Sequence, residues 1–164
     1  MTVLFAGLLC LAAGTAQDNA AELTGLFLQS CVRFAGNTKA LRDWAGSTGL
    51  HELPPAGEQA FLQGAPGRVF DATNDIGKRV LVSADSGACS TVAETADGAA
   101  VASDLEQALR QSGITVTLTQ ETDDSAENAL HHRDYIATKD TLRWHILVGT
   151  VRDKPGTAML TVTP

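Results

Sequence analysis

The spacing of apolar residues changes near residue 67, and that change constrains the fold more than any other feature. Before it, Leu23, Leu26, Phe27, Cys31 and Phe34 recur at helical intervals, predicting a helix over 21–35 closed by Gly36-Asn37. Leu41, Trp44 and Ala45 predict a second helix over 38–48. Pro54-Pro55 opens a third short one over 56–63, because a first helical turn has no use for the missing N–H. Beyond residue 67 the period is two, with strands predicted over 67–73, 79–84 and 88–95. Asn74-Asp75-Ile76-Gly77 and Asp85-Ser86-Gly87 are hairpin-grade turns, so these strands form an antiparallel meander.

One helix interrupts the strands. Asp97 caps it, Val101, Leu105, Ala108, Leu109 and Ser112 line its inner stripe over 98–112, and Gly113 ends it. Ile114, Val116 and Leu118 then alternate with threonines as a strand with one wet face. The acidic stretch Glu121 to Glu127 reads as a solvated loop, lacking the glycine that an EF-hand requires. Strands over 129–138, 141–151 and 157–163 complete the chain. Helices and strands are segregated rather than alternating, which predicts an α+β fold: N-terminal helices packed on a mostly antiparallel sheet, as one domain over 17–164.

The uncharged apolar run Val3–Ala13 is too short for a membrane span, which needs about 20 residues. Its length and the small residues Gly14 and Ala16 match a signal peptide over 1–16, although no Lys or Arg precedes it. The expected location is periplasmic or secreted. Cys10 lies inside the run behind Leu8-Leu9, an unfavourable setting for lipidation, and leaves with the leader. Cys31 and Cys89 remain. An even pair in an exported chain reads as a disulfide; buried thiols or a nucleophile served by histidine are the competing readings. A bridge closing so long a loop contributes up to about 4 kcal/mol.

Phe27-Leu28 with Cys31, then Gly36, Leu41, Trp44, Gly49-Leu50, Phe61, Ala65-Pro66-Gly67-Arg68-Val69-Phe70, and Cys89 with Val92 follow a recognisable pattern. Over residues 23–110 it resembles a group of small exported proteobacterial proteins without an assigned activity. The shared positions are core residues, glycines and the cysteine pair. The resemblance therefore implies export and a disulfide, and transfers no catalytic residue.

Charge narrows the partners. Twelve Lys and Arg against 19 Asp and Glu give a net charge of −7, which disfavours nucleic acid and anionic membrane surfaces. There is no P-loop and no dinucleotide fingerprint, and Gly46-Ser47-Thr48-Gly49 lacks the nucleophile-elbow spacing. No catalytic residue and no cofactor is assigned. His132, Asp134 and His145 are the weak candidate metal ligands, with His132 and His145 as cross-strand neighbours in one register. A solvated role for these histidines is the simpler reading. Tyr135 and Trp144 read as core or sheet-face residues, and Arg133, Arg143 and Arg152 as a basic set on one sheet face. The leading expectation is a non-enzymatic envelope protein that binds a protein or small-molecule partner. An envelope hydrolase or metal-dependent enzyme using His132, Asp134 and His145 is the alternative.

Overall fold

A computed structural model describes residues 15–124, 130–152 and 154–164. The expected leader core Val3–Ala13 and Cys10 lie outside the described residues, as does the end of the acidic stretch at Glu127. The first described element is helix α1 (Ala16–Phe27), which continues through a π-helical turn (Leu28–Val32). Then come α2 (Thr38–Ser47), β1 (His51–Glu52), α3 (Pro55–Leu62), β2 (Gly67–Asp71), β3 (Arg79–Ala84) and β4 (Cys89–Ala96). Helix α4 (Gly98–Gln111) precedes β5 (Thr115–Asp123), β6 (Leu130–Lys139), β7 (Leu142–Val151) and β8 (Gly156–Thr163).

Helix α1 starts five residues before the expected position. Thr15 accepts from the Asp18 amide while the Asp18 carboxylate accepts from the Thr15 amide, a reciprocal cap that satisfies two otherwise orphaned donors. The expected leader boundary after Ala16 thus falls within the helix's first turn. The carbonyl of Ala16 also accepts the Asp97 amide at 3.0 Å, tying the start of α1 to the cap of α4. At its other end the expected helix loosens into the π turn, where the Arg33 amide reaches back five residues to Leu28.

The eight strands form one antiparallel sheet in the order β1-β2-β3-β4-β8-β7-β6-β5. Helices α1 and α4 pack on one face. Ala20, Leu23 and Phe27 of α1 meet Leu81, Ala93, Leu160, Val148, Ile146 and Ala137 from the sheet, together with Val101, Leu105 and Leu109 of α4. Cys31 and Cys89 are joined in a disulfide, with Cα atoms 5.3 Å apart, and both are buried in this core. The bridge fastens the end of the first helical segment to the middle of the sheet. On the opposite face α3 covers β2 and β3, and Val69 is fully buried there.

Among the described residues one charged side chain is buried. Arg79 is 3 % exposed, donates to Asn19 at 3.2 Å and lies 3.5 Å from Glu22. Burial lowers its pKa, and the Glu22 carboxylate opposes that shift.

Candidate functional site

A single extra residue in β5 creates the site. Leu118 pairs with Tyr135, but the next pairing is Gln120 with Asp134, so Thr119 bulges out of the ladder. Before the bulge the even-numbered Val116 and Leu118 share the face of Tyr135 and Ala137; after it the odd-numbered Glu121 and Asp123 take that face, opposite Arg133 and His131. The expected acidic loop is therefore strand as far as Asp123, and two of its carboxylates point to the helix side. Period-two reading fails here because a bulge inverts the alternation.

These side chains form a chain of ion pairs. Nδ1 of His131 lies 2.7 Å from Asp123 Oδ1, and its Nε2 lies 2.7 Å from Glu121 Oε1. Arg133 donates Nε–H to the same Glu121 oxygen at 2.8 Å, and Arg152 donates to Asp123. Ionised carboxylates only accept, so this arrangement is complete when both imidazole nitrogens carry protons. The hydrogen bonds from Arg133 and then His131 hold the Glu121 carboxyl below its ordinary pKa. His131 does the same for Asp123, with Arg152 attracting the same charge. Next along β6, Tyr135 is buried and donates to Glu106 at 2.9 Å. Burial, reinforced by that carboxylate, pushes its phenol up to about 12.

Between this network and the start of α4 lies a pocket of about 420 Å³. Asp97 caps α4 by accepting the Ala100 amide at 2.8 Å. The amides of Gly98 and Ala99, which also line the pocket, meet no acceptor among the described residues. Gly98 is required there: a Cβ would stand 2.8 Å from Thr150 Cβ and 3.1 Å from the Val151 carbonyl oxygen. Thr150 lines the same pocket, is 4 % exposed, and its hydroxyl has no hydrogen-bond partner among the described residues. Arg133, Arg152 and Lys154 complete the polar wall.

The expected metal set is not brought together. His132 pairs with Gly149 while His145 pairs with Ile136, four positions along the same ladder, which separates them by roughly 13 Å. His132 and Asp134 do share the face away from α4, but the nearest acidic partner of His132 is Asp124, at 3.4 Å. Among the described residues no group of three or more His, Cys, Asp or Glu is arranged to hold a metal ion. The expected basic set also divides. Arg133 and Arg152 line the pocket, whereas Arg143 pairs with Thr138 and takes the opposite face. Parity along β6 was enough to associate His131 and Arg133 with Tyr135. Thr150, Gly98 and the β5 carboxylates carried no comparable signal.

A second concavity lies on that opposite face, where two hollows of about 420 and 210 Å³ share Phe61, Val92 and Thr157. Val82, Met159 and Leu130 make it largely apolar. No family model, curated protein or solved structure matches this chain.

Proposed function

We propose that this chain is an exported, disulfide-stapled binding domain that holds a small ligand in the pocket at the start of α4 and releases it unchanged. The observation that carries this reading is His131. A general base needs one free ring nitrogen facing a substrate or nucleophile, and both nitrogens of His131 face carboxylates. Thr150 sits directly across from it in the β6–β7 ladder, yet both ring nitrogens are already directed at carboxylates rather than at that hydroxyl. The network braces a wall and does not move protons.

Export is supported by the leader-like run Val3–Ala13 and the buried disulfide. No helix among the described residues is long and apolar enough to cross a membrane. Its resemblance to small exported proteobacterial proteins points the same way.

Equilibrium dialysis of the oxidised full chain against a small-molecule extract of its native cell envelope tests the reading. A solute retained unchanged by the native protein, and lost with Arg133→Gln, is the expected result. Time-dependent conversion of a solute, or no retention at all, overturns it.

A further inference from the structure

We infer that the ligand of this pocket carries an oxyanion, a carboxylate or a phosphate group, seated between the first amides of α4 and the guanidinium groups of Arg133 and Arg152. The inference rests on the binding reading above and specifies its ligand class. Three independent sets of donors converge. The Gly98 and Ala99 amides have no acceptor among the described residues and lie at the positive end of a 14-residue helix, where backbone N–H groups and the helix dipole favour negative charge. Thr150 lines the pocket and is 4 % exposed as a residue; its hydroxyl has no hydrogen-bond partner among the described residues and is left to donate to a group held there. Arg133 donates to Glu121 and also interacts with the Tyr135 oxygen, and Arg152 donates to Asp123, so neither five-donor fork is fully used.

The acidic groups around the pocket do not compete. Asp97 is occupied by the Ala100 amide, Glu121 by Arg133 and His131, and Asp123 by Arg152 and His131. Each of these carboxylates already accepts from at least one donor, whereas the Gly98 and Ala99 amides and the Thr150 hydroxyl have no partner among the described residues. A cation finds no open oxygen cage here, and a neutral apolar ligand leaves the donors unpaired. An oxyanion offers several lone pairs at once and satisfies them. Ala99, Val151 and Pro155 supply apolar wall beyond the donors, and about 420 Å³ leaves room for an organic body behind the anionic group. With the whole chain at −7, long-range attraction contributes nothing, and these short-range donors must supply the affinity.

Isotope-labelled, oxidised full chain titrated separately with sodium phosphate and sodium butyrate, against sodium chloride at matched ionic strength, tests the inference by NMR and calorimetry. The expected result is saturable movement of the Gly98 and Ala99 amide signals below about 10 mM of at least one anion, the range of a single charge-assisted site. Saturation by phosphate alone assigns a phosphate ligand, and saturation by butyrate alone a carboxylate. Thr150→Val and Arg152→Gln, with folding verified by near-ultraviolet circular dichroism, weaken binding about tenfold each. Absence of saturation by both anions, or unchanged affinity in both variants, overturns the inference. If an uncharged solute from the envelope extract moves the same amides while neither anion does, the oxyanion class falls and the binding reading stands. If neither anions nor extract solutes move them, both fall.

Discussion

One face of one sheet serves as dry core at one end and ionic pocket at the other. Under α1, the sheet contributes Leu81, Ala93 and Leu160, fully buried, and the Cys31–Cys89 bridge crosses the interface. Along β6 the same face runs from Ala137 and Tyr135, both buried, to Arg133 and His131, both reached by solvent. The strands do not change character between these points; the covering helix does. Helix α4 packs Leu105 and Leu109 into the core and its Glu106 accepts from the Tyr135 hydroxyl, but the corner carrying Glu121, Asp123 and His131 lies beyond its first turn. Where a helix covers a sheet face, a charge is kept only with partners from that helix, as Arg79 is by Asn19 and Glu22 of α1; where coverage stops, a network of paired charges survives beside water.

The comparison breaks most visibly at the staple. Replacing both Cys31 and Cys89 by Ala is expected to lower unfolding stability by up to about 4 kcal/mol, read as a shift of the denaturation midpoint. A loss under about 1 kcal/mol shows instead that packing alone holds this end. Alkylation without reductant leaves both cysteines unlabelled, and two labelled residues contradict the bridge.

Tyr135 stands at the boundary, and as the sole tyrosine its titration is read directly by ultraviolet absorption. Its folded-state pKa is raised to about 12, against about 10 in the unfolded chain. The stabilising difference is whole below pH 10 and is lost as pH climbs toward 12, a decline of roughly 2–3 kcal/mol. Tyr135→Phe should remove that slope. An ordinary phenol titration near pH 10 refutes the buried setting.

A smaller change sharpens the dry end. A chain beginning at Gln17 lacks Thr15, and with it the reciprocal cap of α1. It is expected to be about 1 kcal/mol less stable than one beginning at Gly14, and equal midpoints contradict a role for that cap. The smallest stability effect belongs to the ionic corner. His131→Ala should cost under about 1 kcal/mol at neutral pH. It should also flatten the acid limb, because Glu121 and Asp123 have lowered pKa values in the fold. Their contribution is present above the ordinary carboxylate range and disappears as pH falls through the lowered values. An unchanged acid limb in this variant shows that the network does not couple to folding.

Much of the architecture was legible from local pattern. The stripe through Leu23, Phe27 and Cys31 pointed the sulfur inward, and Asp97 and Gly113 bracketed α4 within a residue or two. The alternation in β7 placed Ile146 and Val148 on the core face. The site was far less legible. Glu121 and Asp123 looked like a loop because Thr119 shifts the alternation by one. His132 and His145 invited pairing, but the ladder sets them four positions apart. Arg143 differs from Arg133 in the face it takes, a matter of register.

The residue order alone settled the segregation of helices from strands, the inward cysteine and most element boundaries, because backbone periodicity and capping act over only a few residues. Tertiary structure alone decided that β8 lies between β4 and β7, that β5 bulges, and that the start of α4 stops beside Thr150. Those outcomes depend on which side chains meet across strands distant in sequence, and on where a helix ceases to shield a sheet from water.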